Sequence, residues 1–158
     1  MEEKREIPFP QANSFAKIIK IIKIQDEKLL SDVSYLKQLL SLGSARQIDY
    51  YLSACEFLGL VTKDRCFTEH GIALRQTDFN LFILKTSQLI VSKPVFGEAF
   101  FSEFIFGRQL KKEEMAQLIS DLYNITNLAV CERRASTVRN WLDWIYKQKA
   151  FSEINEKH

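Results

Sequence analysis

Arg46 and Gln47 stand two and three residues after Ser44, and Tyr50 follows a helical turn later. Arginine pairs bidentately with guanine and glutamine with adenine in the major groove. A helix that starts at Ser44 would carry all of them on its first turns, so the chemistry they offer is the reading of base edges. A second set lies near the C-terminus: Arg133, Arg134, Ser136, Thr137, Arg139 and Asn140. From Glu132 to Lys149 five basic residues face two acidic ones, the strongest basic patch in the chain. Between the two sets, Lys63 and Arg65 flank Asp64 in a short polar loop suited to phosphate contact.

Other chemistries find little to work with. His70 and His158 are the only histidines, too few for a histidine-based metal site or catalytic system. Cys55, Cys66 and Cys131 are odd in number and lack CxxC spacing, so neither a disulfide framework nor a zinc site is expected. A metal nuclease centre of the PD-(D/E)xK type needs an upstream Asp. Asp26-Glu27-Lys28 and Glu2-Glu3-Lys4 match its last part only. Neither a GxxxxGK[ST] phosphate loop nor a GxSxG elbow is present. The expectation is a protein that is not an enzyme, with no catalytic residue, no metal and no cofactor.

Composition agrees with a packed protein. The 158 residues are 46% hydrophobic and include twelve Phe, ample for a core. The net charge is +2, so any binding to an acidic partner must come from a local face rather than from bulk basicity. The opening MEEKREIPFP has no apolar segment like that of a signal peptide. The longest apolar run, Leu81 to Val91, is interrupted by Lys85, Ser87 and Gln88 and is too short to span a bilayer. A cytoplasmic protein with reduced thiols, away from membranes, is expected.

The elements that must position the base-reading sets follow from periodicity and caps. Residues 1–13 read as an extended, solvated arm, because Pro8 and Pro10 oppose helix. Asn13 or Ser14 caps a helix beginning near Phe15, with Phe15, Ile18, Ile19 and Ile22 on one face and Lys17, Lys20 and Lys23 on another. Ser31 is the expected cap of the next helix, whose stripe is Val33, Leu36, Leu39 and Leu40. Gly43 is expected to end it in the left-handed conformation, and Ser44 to cap the following helix. In that helix Ile48, Tyr51, Leu52, Cys55 and Leu58 step by three and four. Gly59 closes it. Leu60-Val61 and Cys66-Phe67 are expected to pair as short strands around 62–65.

This order of helix, turn, helix and hairpin is that of a winged helix. The spacing of Thr68, Glu69, Gly71 and Leu74 resembles the LTEKGxxL ending of the wing in many bacterial winged-helix regulators. That resemblance implies that Thr68 caps a helix and that Gly71 permits close packing.

The second half reads as helical. Phe79 to Val91 is one helix, and Pro94 suits the first turn of another over Val95 to Phe106. Phe96, Phe100, Phe101, Phe104 and Phe106 exceed what one helical face needs. Core packing is expected for them, or a homodimer interface over 96–106. Lys111-Lys112-Glu113-Glu114 opens a helix with Met115, Leu118, Ile119 and Leu122 inside, and Asn124 to Asn127 is a polar turn. Aligning Ile48 with Val138 brings Tyr51 onto Trp141 and Leu52 onto Leu142, which suggests a second helix-turn-helix unit.

RRASTVRNWLDWI, and GSARQIDYYLSACEFLGLV with KPVFGE downstream, are similar to the target-recognition portions of bacterial restriction and nicking endonucleases. What the resemblance implies is recognition of double-stranded DNA by Arg46, Gln47, Arg133, Arg134, Ser136, Thr137 and Arg139. The fold expected is mainly α. A winged-helix domain of three helices and a short β-hairpin wing spans 14–76. A helical domain with a second helix-turn-helix-like unit spans 77–150, and 151–158 is a tail. The recognition helices expected are 44–58 and 133–148. The function expected is sequence-specific DNA binding, as a regulator or in restriction-modification. The alternative is a docking or dimerisation module that binds no DNA.

Overall fold

The computed structural model describes residues 8–148. They are mainly helical: α1 (Phe15–Ile22), a 3₁₀ turn (Glu27–Ser31), α2 (Val33–Leu40), α3 (Ala45–Phe57), α4 (Glu69–Arg75), α5 (Phe79–Val91), α6 (Phe96–Phe100) with a π-helical continuation (Phe101–Ile105), α7 (Lys112–Tyr123) and α8 (Leu128–Tyr146). Contacts divide them into two units. One holds 8–12 with Ala16–Arg75, the other Asn13–Phe15 with 76–148. The expected tail, 151–158, lies outside the described residues.

Of the arm read over 1–13, residues 1–7 lie outside the described residues, and the part from 8 on is not free. Phe9, Pro10 and Ala12 are buried, and the Phe9 ring packs on Phe57 at 6.0 Å between centroids. An apolar side chain next to a proline that has no N–H to solvate is better inside than out. The cap of α2 is Asp32, one residue later than expected. Its carboxylate accepts from the Tyr35 N–H at 3.0 Å, because Ser31 closes the 3₁₀ turn that Asp26 caps. The left-handed residue after α2 is Ser41, at φ 52°, not Gly43. The helix stops at Leu40, so the chain reverses two residues earlier than the glycine suggests. Ser44 does cap α3, its hydroxyl accepting from the Gln47 N–H at 3.2 Å. Ile48, Tyr51, Leu52, Cys55 and Leu58 are buried as their spacing requires.

Gly59 ends α3 at φ 76°, a conformation that costs glycine little. The two strands expected here are present only as one antiparallel bridge, Val61 to Phe67. The Thr62 N–H donates to Cys66 O at 2.8 Å and Thr68 N–H to Leu60 O at 3.0 Å. Pairing goes no further, because the Phe67 N–H donates to the Glu27 carboxylate at 2.7 Å and α4 begins at Glu69. The Thr68 hydroxyl donates to Gly59 O at 2.7 Å and accepts from the Gly71 N–H at 3.0 Å, so it fastens both ends of this loop. A Cβ on Gly71 would stand 2.2 Å from Leu60 O. The close approach read from its position is therefore a backbone contact that only glycine allows.

The second unit is built around Trp141, which is fully buried. Phe96 stacks on it at 5.0 Å and Phe15 meets its edge at 5.2 Å. α7 and α8 form the largest helix pair. The single helix expected over Val95 to Phe106 is α6, which then widens into the π turn, where Phe106 N–H donates to Phe101 O. An extra residue per turn rotates the side chains, and such turns are frequent where a residue must be re-aimed. Core packing accounts for Phe96, and Phe100 is half-buried, stacked on Phe104 at 5.3 Å and on Tyr146 at 6.2 Å. Phe101, Phe104, Ile105 and Phe106 are exposed.

α8 also departs from expectation. It begins at Leu128, after Asn127 accepts from the Ala129 and Val130 N–H groups. The helix expected over 133–148 thus starts five residues earlier. An earlier start leaves the faces of the residues that follow unchanged, so the stripe of Ala135, Val138, Trp141, Leu142 and Ile145 is buried as its spacing requires.

Candidate nucleic-acid interface

The first turn of α3 leaves Arg46 and Gln47 exposed and Ser44 and Tyr50 half-buried. Gln47 Oε1 accepts from the Gly43 N–H at 3.2 Å, which aims the amide along the helix start. Arg46 Nε donates to the Tyr50 hydroxyl at 2.7 Å, and its guanidinium lies 5.6 Å from that ring's centre. Asp49, one turn into α3, pairs with Arg65 at 2.8 Å. Arg65 has φ 62°, an uncommon conformation for a side-chain-bearing residue, and the ion pair holds the tight turn against α3. Lys63 is exposed at its tip. Tyr50, Lys63 and Arg65 thus border one cleft of about 390 Å³, together with Phe9, Ser53 and Glu56.

The α8 residues are scattered by comparison. Arg133 and Asn140 are exposed, while Arg134 and Ser136 are half-buried. Burial lowers the Arg134 pKa from its ordinary value, and its Nε makes no hydrogen bond. Thr137 is withdrawn from any interface: it is fully buried, and its hydroxyl donates to Asn13 Oδ1 at 2.7 Å. Arg139 is committed within the unit. Its two terminal nitrogens donate to the two oxygens of Glu103 and its Nε to Asp143, and Tyr146 donates to Glu103 as well. The hydrogen bond to Glu103 is the main cause of its raised pKa.

The early start of α8 matters further. Its first turn is Leu128-Ala129-Val130-Cys131, with no side chain that could read a base edge. Arg133 and Arg134 stand in the second turn and Arg139 near the middle. The strongest basic patch of the sequence therefore does not sit on the first turn of its helix, as Arg46 and Gln47 do on α3. Glu103, 36 residues before Arg139, left no local signal in the sequence. Lys111 and Lys112 were visible as a pair, but only as a helix opening. They line a second cleft, of about 590 Å³, with Ser136, Arg139 and Asn140.

Among the described residues no group of three or more His, Cys, Asp or Glu could hold a metal ion, and no helix is long and apolar enough to cross a membrane. Burial pushes the Cys55 thiol from 9.0 up to about 12, and burial with the nearby Glu98 charge pushes the Tyr123 phenol up to about 12. Tyr146 is raised for the same first reason, then by its bond to Glu103. Each raised pKa means that the folded state holds its proton longer than the unfolded one. Their stability contribution is complete below the unfolded values and is lost as pH rises through the folded ones. For these groups the unfolding free energy from urea titrations should be flat up to about pH 9 and fall beyond it, by up to about 1.4 kcal/mol per pH unit for the buried Cys55 and by less for the half-buried Tyr123 and Tyr146. A midpoint unchanged at pH 11 would contradict that burial.

No curated protein and no solved structure matches the chain. A family match covers residues 17–150. On that extent the chain belongs to the family described as Domain of unknown function (DUF7226).

Proposed function

We propose that the protein binds double-stranded DNA through α3 and the 61–67 loop, used as a winged helix. The role is that of a regulator or of the DNA-recognition module of a restriction-type bacterial system. One observation carries the reading. The Ser44-capped turn of α3 offers Arg46 and Gln47 to solvent, while the Arg65–Asp49 ion pair fixes the Lys63 loop beside the same helix. A helix start that reads bases and a loop that reaches phosphate are the two parts such binding needs. The α8 set contributes at most Arg133 and Asn140, the two of its members that are exposed. The free thiols Cys55, Cys66 and Cys131 fit the cytoplasm. The test is duplex binding against a pool of random sequences at rising salt. Selected sites should bind more tightly than the pool, and affinity should fall with salt as counterions are released. Affinity independent of both would sink the reading.

A second reading, self-association, is favoured by the exposed Phe101 (51%), Phe104 (44%), Ile105 (54%) and Phe106 (78%). So much contiguous apolar chain at the surface marks an interface more often than not. Sedimentation should then give a dimer that Phe106→Ser converts to monomer. A monomer at all concentrations would remove this reading and leave the first untouched.

A further inference from the structure

The second cleft has a chemistry of its own, independent of the α3 surface. It lies between the start of α7 and the middle of α8, with a volume of about 590 Å³, within the range of small-molecule sites. Its lining contains no carboxylate. Lys111 and Lys112 bring two ammonium groups, both on exposed residues, and neither makes an ion pair with another described residue. Arg139 also lines the cleft, but its charge is met from outside by Glu103 and Asp143. Ser136 and Asn140 add a hydroxyl and an amide from α8. The wall between these polar groups is apolar: Met115 and Ala135 are almost wholly buried.

We infer that this cleft binds a phosphomonoester with a small organic body. Two ammonium groups match the charge of a phosphate monoester, close to −2 at neutral pH, better than that of a carboxylate or a phosphodiester. Lysine serves phosphate as a mobile point charge and needs no fixed fork. The Ser136 hydroxyl and Asn140 amide donate to the remaining oxygens, and half-buried Leu110, with Met115 and Ala135 behind it, takes the organic part. The concave shape and modest volume suit one phosphate group on a small body. The same group could also arrive as the terminal phosphate of a nucleic acid, whereas an internal diester carries half the charge.

The full chain is titrated with phenyl phosphate, and separately with phenyl sulfate, at fixed ionic strength. Amide chemical shifts of residues 109–115 and 135–140 are followed. Phenyl phosphate should bind roughly tenfold more tightly than the singly charged phenyl sulfate, and its affinity should fall as pH drops through about 6, where the second proton returns. Lys111→Ala with Lys112→Ala should lose that preference. Both lysines are exposed, so this variant should unfold at the wild-type urea midpoint. Asn140→Ala, also at an exposed position, should weaken phenyl phosphate and phenyl sulfate alike, because each loses one donor to a non-bridging oxygen. A 5′-phosphorylated oligonucleotide and its dephosphorylated twin form the second arm. Preference for the phosphorylated one, lost in the double-lysine variant, supports the cleft with a nucleic-acid end as its source. No shift at these residues with phenyl phosphate at roughly millimolar concentration, or equal binding of sulfate and phosphate, overturns the inference. Duplex binding by Arg46 and Lys63 would be unaffected by that failure, so the two readings stand or fall separately.

Discussion

Arg139→Ala is expected to destabilise the protein by about 3 kcal/mol, the scale for removing one partner of a buried ion pair. The side chains of Arg139 and Glu103 are 22% and 9% exposed, and they meet through a two-pronged contact. The same carboxylate accepts from the Tyr146 hydroxyl at 2.7 Å. Alanine at 139 would leave Glu103 charged, largely buried and served by Tyr146 alone. Most of the loss is that stranded charge rather than the worth of the pair. Glu103→Leu combined with Arg139→Met should therefore recover a large share of it. Urea denaturation of the two single variants and the double one measures this directly. The result bears on function as well. If Arg139→Ala kept its full stability and lost duplex affinity, Arg139 would be a DNA contact and the α8 surface would return to consideration.

The second large effect is on binding. Replacing Arg46 with Ala should weaken a selected duplex by about tenfold, within the 1–3 kcal/mol span of one base-reading pair, and relax preference at one position. Arg46 is exposed, so the urea midpoint should move little. Lys63→Ala should act on every sequence alike and lower the slope of affinity against salt by about 1, as expected for one phosphate contact. Asp49→Asn has the opposite sign. It releases Arg65 from its ion pair and removes a negative charge from the interface, so non-specific affinity should rise while the loop loses its anchor. Equal duplex affinities for wild type, Arg46→Ala and Lys63→Ala would mean that α3 faces no nucleic acid.

Local reasoning reached the parts of this fold that local bonds decide. Ser44 and Gly59 act within one turn of themselves, and their roles could be read from neighbours alone; Thr68 caps α4 as the wing-ending resemblance implied, but its bond to Gly59 O spans nine residues. The apolar stripe of α3 likewise follows from spacing, whereas in α7 Leu122, expected inside with Met115 and Ile119, is exposed. Reading failed where two local solutions were nearly equal. Asp32 is as good a cap as Ser31, and Ser41 entered the left-handed region despite Gly43 nearby. The start of α8 was not legible either: its buried stripe keeps one register whether the helix begins at 128 or at 133, so spacing could not say where it starts. The earlier start puts Leu128-Ala129-Val130-Cys131 in the first turn and Arg133 and Arg134 in the second.

The residues by themselves determined a mainly helical chain, the cap and buried stripe of α3, and the polar character of the α3 start. Only the tertiary structure decided which basic residues are available. Arg139 is claimed by Glu103, Thr137 by Asn13 and Arg65 by Asp49, partners 36, 124 and 16 residues away. A guanidinium looks the same in a sequence whether it faces water or a buried carboxylate. The difference lies in who meets it after folding, and pairing at such separations leaves no periodic trace.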